Sequence, residues 1–322
     1  MAELAFDIGQ TQSRLRLITG DGHAPELELD GFRYGDDVLS TVFQLCREAA
    51  DRFSVPSITA VAGGMTGLYG NVPDLSELAA RLATTLGVER LVVADDAVSS
   101  HLGALGGEPG ALVAAGTGIV GLGIGPAGAA RVDGTGSMIG DDGSGWWIGR
   151  RGAIAALSAH DGRSGGSPRL LASLERQFGP VADFPAVVAK SQFPVGTVAS
   201  FAPAVAAAAR EGDMEAGAIW AEAARYIGDA VVAAAIRAGF PRDARFPWAV
   251  VGRLTGAADL LDPVIESLIS ARFPAAFRVS SGGSSLDGAE RLLHYPNAKT
   301  LAPLVGTSTK ERETTEEKDT DD

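Results

Sequence analysis

Between Gly103 and Gly145 the sequence places fifteen glycines in 43 residues, about five times the average frequency of roughly 7%. A long helix is ruled out by that density, since each interior glycine costs about 1 kcal/mol relative to alanine. The stretch is also too regular for a linker, because the apolar runs GALVAAG, IVGLGIG and AARVDG lie between the glycines. Short strands joined by tight turns satisfy both constraints, with one turn at Gly116-Thr117-Gly118 and a second at Pro126-Ala127-Gly128. Residues 111–130 carry no charge, but their six glycines and one proline argue against a membrane-spanning helix.

The rest of the chain has ordinary periodicities. ELAFDI (3–8) and SRLRLIT (13–19) read as two strands of a hairpin around the polar loop Gly9-Gln10-Thr11-Gln12. Apolar residues at helical spacing predict a helix over 37–53. ITAVAGG (58–64) reads as a buried strand. DLSELAARLATTLG (74–87) reads as a helix with Asp74 at its N-cap, and ERLVVADD (89–96) as a strand running into a helix over 97–105. After the glycine-rich stretch come a helix over 147–160, an alanine-rich helical region over 169–240 that includes a helix at 213–238, and the buried strand of FPWAVVGRLTG (246–256). Strand, glycine loop and helix thus occur twice, near the start of each half, which predicts two similar α/β lobes. The boundaries expected are 1–105 for the first lobe and 106–306 for the second, with the last helix returning to the first. From Thr307 an acidic tail has too few apolar residues to offset its ordering entropy and is expected to be disordered.

The net charge is −13, of which −4 comes from seven acids and three bases in the last sixteen residues. The remaining −9 is spread over the body and disfavours nucleic acid or an anionic membrane as main partner. One cysteine, Cys46, leaves no intrachain disulfide and no cysteine-based zinc or iron–sulfur site within the chain. The N-terminus has no basic stretch followed by an apolar core, so a cytoplasmic protein is expected. Exposed apolar faces of 213–238 are a candidate homodimer surface.

Three groups of residues could carry chemistry. Asp7-x-Gly9-x-Thr11 sits in the first hairpin turn, where backbone N–H groups and a threonine hydroxyl can approach an anion and an aspartate can hold a hydrated Mg2+. The same residues also read as a plain polar hairpin turn. Gly116-Thr117-Gly118 occupies the equivalent place in the second half, and two such loops about 110 residues apart read either as two phosphate clips closing on one polyphosphate or as two structural hairpins. Asp95-Asp96 lies where a buried strand runs out, the usual place for ligand groups in an open α/β sheet. At a helix start Asp96 is favoured in its ionised form and could serve as the general base of a phosphoryl transfer, or the pair could be an N-cap and its solvated neighbour. His101 reads as a surface or packing histidine rather than a ligand.

Taken in order, DIGQT (7–11), ADDAVSSHLGAL (94–105), LVAAGTGIVGLG (112–123), GTGSMIGDDGSGWWIG (134–149) and VVGRLTG (250–256) resemble the N-acetylglucosamine kinases, within the BadF/BadG-type ATPases of the actin-like sugar kinase superfamily. MIGDDGSGWWIG is the most specific part. This resemblance implies two actin-like (ribonuclease H-like) lobes with ATP in the cleft between them. It implies a first phosphate loop of Asp7, Gly9, Gln10 and Thr11, with Mg2+ near Asp7. A second phosphate loop would be formed by Gly116, Thr117 and Gly118, and Gly252 would lie near the adenosine. Asp96 would take the proton from a sugar 6-hydroxyl, and Gly136 and Asp141 would lie at the sugar. Trp146 and Trp147 read as the start of a helix packed on the lobe core.

Two stretches depart from the family pattern. Where related kinases carry Gly-x-x-Asn, this chain has GFRYGDDV (31–38), and the second turn continues Ile119-Val120 where they continue Ser-Asn. An acidic Asp36 or Asp37 facing a protonated amine would select glucosamine over N-acetylglucosamine. Alternatively, both aspartates cap the helix that begins near Val38. Other activities on related folds fit less well. The activators of 2-hydroxyacyl-CoA dehydratases need two cluster cysteines per chain, and the repressor/kinase group carries a cysteine-rich zinc motif. A non-catalytic ATP-dependent or sugar-sensing module remains the alternative to a kinase.

Overall fold

Alternation of side chains across the first hairpin decides which face of it is covered. Ser13, Leu15 and Leu17 of the second strand are buried, while their neighbours are not. The computed structural model describes residues 2–20, 22–23, 25–33, 35–296 and 301–309. The chain opens with β1 (Glu3–Ile8), β2 (Gln12–Thr19), β3 (Gly22–His23), β4 (Leu27–Asp30), α1 (Val38–Phe53), β5 (Ala60–Met65), α2 (Ser76–Leu86), β6 (Arg90–Asp95) and α3 (Asp96–Leu105). A second run of strands follows, β7 (Gly110–Ala115), β8 (Ile119–Gly125) and β9 (Gly128–Asp133). An all-helical excursion comes next: α4 (Gly145–Asp161), α5 (Pro168–Phe178), α6 (Phe184–Lys190), α7 (Pro194–Ala199), α8 (Ala202–Arg210) and α9 (Met214–Arg237). Then come β10 (Pro247–Val251), α10 (Ala258–Arg272), β11 (Phe277–Arg278), α11 (Ser285–Leu292) and β12 (Val305–Thr309).

The two sheets repeat one plan. In the first, β2 is antiparallel to β1, β5 lies parallel on the other side of β1, and β6 lies parallel beyond β5. In the second, β8 is antiparallel to β7, β10 lies parallel on the other side of β7, and β11 lies parallel beyond β10. The two-lobed α/β architecture expected from the sequence is therefore present. No described helix is long and apolar enough to cross a membrane.

A close approach explains part of the glycine density. Gly121, Gly123 and Gly125 alternate on one face of β8. A Cβ on Gly123 would lie 2.3 Å from the Ala234 carbonyl, and one on Gly125 would lie 2.6 Å from the Ala238 carbonyl. Ala230 and Ala234 of α9 and its C-cap Ala238, four residues apart, form the facing ridge. At Gly123 and Gly125 strand and helix meet along a seam with no room for a side chain on the strand.

This seam also corrects an expectation. The apolar residues of α9, among them Ile219, Trp220, Ile227 and Val231, are buried in the second lobe. Its exposed large apolar residues are Met214 and Ile236, near its two ends.

A second correction concerns the chain's end. Val305–Thr309 pairs antiparallel with β6, from Val305 opposite Ala94 to Thr309 opposite Arg90. The disorder expected from Thr307 is therefore replaced by an edge strand through Thr309. Backbone pairing supplies hydrogen bonds whatever the side chains, so sparse apolar composition did not prevent a strand. The remainder of the acidic tail, 310–322, lies outside the described residues. Helix α11 packs on α3, β1 and β5.

Helix α3 is shared between the lobes. It touches β1, β5 and β6 of the first sheet and β7, β8 and β10 of the second. Val98 and Leu102 belong to an apolar cluster that also holds Val92 and Ala94 of β6, Val120 and Leu122 of β8, and Leu292 of α11. His101, fully buried on this helix, has Nε2 3.4 Å from the Gly110 carbonyl oxygen, as expected of a packing histidine.

Candidate active site

β1 and β7 each end in a loop that faces the same cleft, about 1090 Å³ in volume. In the first loop the Gly9 N–H donates to the Gln12 carbonyl at 3.0 Å, closing the turn between β1 and β2. In the second, the Gly116 N–H donates to the Gly118 carbonyl at 2.9 Å. The carbonyls of Gly116 and Thr117 accept from Gly145 and Trp146 at 2.8 and 3.0 Å, tying this loop to the start of α4. Across the cleft the Thr11 and Thr117 hydroxyl oxygens are 3.2 Å apart. The two loops read separately from the sequence are therefore in contact.

Asp7, near the end of β1, accepts from Arg14 at 2.6 Å and from Ser285 of α11 at 2.7 Å. Gly252 lies beyond β10 with φ +97°, and a Cβ there would meet the Ala115 carbonyl at 2.5 Å. Backbone of the second β-hairpin and of the β10 loop are thereby packed together at the same end of the cleft.

β6 ends at the Asp95–Asp96 pair, whose members have different roles. Asp95 is 1% exposed and caps α3 by accepting from the Ala97 N–H at 3.1 Å. It also accepts from Gly70 N–H at 2.9 Å and from Arg131 Nε at 3.1 Å. Asp96, the first residue of α3, lines the cleft. Its carboxyl is pushed well above the usual carboxylate range, first by desolvation, then by the neighbouring charges of Asp95 and Asp7, with Arg131 acting in the opposite direction. That environment favours the neutral carboxyl and makes the ionised form a stronger proton acceptor than an exposed aspartate.

The stretch MIGDDGSGWWIG separates into loop, cap and helix. Ser144 caps α4, its hydroxyl accepting from the Trp147 N–H at 3.2 Å. Trp147 is buried and meets Tyr226 edge-on at 5.5 Å between ring centroids. Trp146 is half-buried against the same core, with the Arg150 guanidinium 5.8 Å above its ring. Both tryptophans thus pack the helix, as expected. Asp142 is exposed.

Asp141 is 2% exposed and sits at φ +63°, a left-handed conformation that aspartate tolerates better than most residues. One carboxylate oxygen accepts from the Ile119 N–H at 3.3 Å, and the other is buried without a partner. Burial pushes this carboxyl up to about 6, with the nearby Asp133 and Asp142 charges adding to the effect and the Ile119 N–H and Arg131 opposing it. A buried acceptor left empty costs about 1–3 kcal/mol, so a ligand hydroxyl that fills it gains that much in return. Gly118 makes room for it, since a Cβ there would lie 3.0 Å from the Asp141 carboxylate.

The cleft thus brings together Asp7, Gly9, Gln10, Thr11, Asp96, Gly116, Thr117, Gly118, Gly136, Asp141 and Gly252, all anticipated from the sequence. It does not include Asp36 or Asp37. Asp37 caps α1 by accepting from the Ser40 N–H at 2.7 Å, and Asp36 is exposed one residue earlier. Reading the sequence alone missed Asp95 as a buried hub, Arg131 and Tyr69, which also line or border the cleft. The turn-forming glycines Gly67 and Gly70, on either side of Tyr69, carry the only local signal.

Paired lobes of one strand order, with glycine loops of each facing a common cleft, define the actin-like class of phosphate-binding folds. The chain belongs to the BadF/BadG/BcrA/BcrD ATPase family, whose profile matches residues 33–273. It is similar to a solved structure from Chromobacterium violaceum provisionally named an N-acetylglucosamine kinase, at 29% identity and a TM-score of 0.65, covering 91% of this chain and 99% of that one. A Porphyromonas gingivalis protein with the same provisional name has 20% identity and a TM-score of 0.67, covering 92% and 99%. The fold also matches a ROK family glucokinase from Streptomyces griseus solved with glucose and AMPPNP, at 17% identity and a TM-score of 0.58, covering 92% and 100%. No curated protein matches the sequence.

Proposed function

We propose that this protein is an ATP-dependent hexosamine kinase that phosphorylates the 6-hydroxyl of N-acetylglucosamine or glucosamine. One observation carries the reading: the Thr11–Thr117 contact brings both glycine loops to a single cleft that also holds Asp96 and Asp141. The similarity to the Chromobacterium violaceum protein supports an amino sugar as substrate. With Asp37 engaged in capping α1, the acidic pair at 36–37 gives no support to glucosamine over its acetylated form.

The residues present fit a nucleotide. A cleft of about 1090 Å³ has room for ATP and a hexose together. Gly9, Gln10 and Thr11 on one side and Gly116, Thr117 and Gly118 on the other would hold its phosphates, and Gly252 would lie at the adenosine end. Asp7 lines the cleft two residues before Gly9 of the first loop and would hold Mg2+, an ion that needs only one or two carboxylates beside phosphate oxygens and water. Among the described residues no cluster of three or more metal-ligating side chains offers an alternative. Bound MgATP supplies the phosphoryl group and the charge neutralisation that its transfer requires.

The chain's own residues do the rest. Asp141 accepts hydrogen bonds from sugar hydroxyls through its unpartnered oxygen and orients the ring. Asp96 takes the proton that the 6-hydroxyl loses as its oxygen bonds to phosphorus. Lobe closure keeps water from competing for the same phosphoryl group. In this reading the lobes divide near residue 105, with α11 and β12 completing the first.

A coupled assay of ADP release over a panel of hexoses and hexosamines tests the proposal. Sugar-dependent turnover should appear with amino sugars, and Asp96→Asn should lower kcat by about 10²–10⁴-fold with AMPPNP binding retained. ATP binding with no sugar-dependent ADP release would favour the sensing module instead.

A further inference from the structure

Arg131 of β9 stands where the two sheets and the two candidate carboxylates converge. Its Nε donates to Asp95, the last residue of β6, at 3.1 Å. Nη1 donates to the Asp133 carbonyl at 2.5 Å and Nη2 to the Gly134 carbonyl at 3.0 Å. The side chain is 13% exposed and lines the cleft. All three bonds come from one planar fork, a geometry lysine lacks.

Each end of this tie leads to one of the carboxylates. Asp95 caps α3 through the Ala97 N–H, which fixes the first turn of the helix on which Asp96 stands. Asp133 accepts from the Asp141 N–H at 3.1 Å, so the segment gripped by Arg131 also holds Asp141. The loop backbone is moulded on the guanidinium: Gly134 has φ +67°, and a Cβ there would lie 2.4 Å from Nη2.

We propose that Arg131 is a positioning residue for this site, its guanidinium setting both the separation of Asp96 from Asp141 and the charge against which Asp96 works. The inference rests on the reading of Asp96 as the base. Three charged groups act on that carboxyl: Asp95 from β6, Asp7 from β1 and Arg131 from β9, and Asp7 is itself paired with Arg14 of β2. Burial and the two aspartates favour its neutral form, which cannot accept a proton, and Arg131 favours the ionised form. At Asp141 the charges of Asp133 and Asp142 likewise meet the opposing charge of Arg131. One cation thus keeps two desolvated carboxyls within reach of neutral pH.

Arg131→Gln and Arg131→Lys separate charge from fork. The readout is kcat/KM for the sugar from pH 5.5 to 9, with AMPPNP binding measured in parallel. Arg131→Gln should move the acidic limb of the profile upward by about one pH unit and lower kcat/KM near pH 7 by about tenfold or more. Arg131→Lys should leave the limb close to that of the unsubstituted protein but raise the sugar KM by about tenfold, because the loop of Asp141 loses its fork. An unmoved limb in a nucleotide-binding Arg131→Gln protein overturns the inference. So does an Arg131→Lys protein with unchanged sugar KM, which decides the matter alone if the glutamine variant fails to fold. The underlying reading fails separately, if Asp96→Asn retains full kcat. An inactive Asp96→Asn beside an unmoved limb in Arg131→Gln removes the role of Arg131 only.

Discussion

The hydroxyls of Thr11 and Thr117 lie 3.2 Å apart although 106 residues separate them in the chain. Each lies in a hairpin turn of a different sheet, so their contact joins the two lobes across the cleft. Replacing Thr117 by valine keeps the shape and removes the hydroxyl. A hydrogen bond to a charged group contributes about 1.5–3 kcal/mol, so the KM for ATP should rise about tenfold or more. The sugar KM should stay within about twofold. Steady-state kinetics against each substrate checks both, and an equal rise in the two would mean that the loop, rather than the hydroxyl, had been lost.

Asp141→Asn should give a more stable but inactive protein. Folding raises this carboxyl from 3.8 to about 6, so the fold favours its neutral form and ionisation costs stability. That cost is fully present above about pH 6, shrinks as the pH falls through the folded value, and is gone below the unfolded one. Its size is about 2 kcal/mol once partial solvent screening is allowed for. Thermal melts of the two proteins should therefore differ at pH 8, with the variant higher, and converge at low pH. A variant less stable at both pH values would contradict the assignment of a strained, unfilled acceptor.

Glycines that look alike in the sequence should respond oppositely. Gly123→Ala places a Cβ 2.3 Å from the Ala234 carbonyl and should cost about 1–3 kcal/mol by forcing β8 from α9. Gly217→Ala, in α9 with open space around it, should gain about 0.5–1 kcal/mol from helix propensity. Denaturant midpoints of the two variants test the seam directly, and a neutral Gly123→Ala would mean that strand and helix can part without cost.

Truncation separates the contribution of β12 from that of the acidic tail. A chain ending at Thr309 should keep its activity and melting temperature. One ending at Leu304 loses the strand paired with β6 and exposes the backbone of that strand, so it should melt several degrees lower. Loss of activity in the chain ending at Thr309 would assign a role to residues 310–322.

Much of this site was legible from local signals. Both glycine loops, Asp96 at a strand end and Asp141 in its glycine cluster depend on residues near one another in sequence, and the cleft contains all of them. Arg131 and Asp95 were not legible in the same way. Their pairing joins β9 to β6 across two sheets, and neither strand's alternation says which polar side chain will find a partner. The apolar side of α9 was misread as free surface because the alanine ridge declares its partner only beside the glycines of β8. Asp37 shows the opposite limit, since its position in sequence fits both a cap and a ligand role, and only the Ser40 N–H on its carboxylate separates them.

Helix α3 has a mechanical consequence. Because it rests on strands of both sheets, a rotation of one lobe against the other about this helix displaces points in proportion to their distance from it. Thr11 and Thr117, in the turns of their hairpins, would travel apart, while Asp96 at the helix tip would scarcely shift. In the proposed kinase reading the base would stay at the fulcrum, and the two phosphate loops would be the parts that must arrive on time.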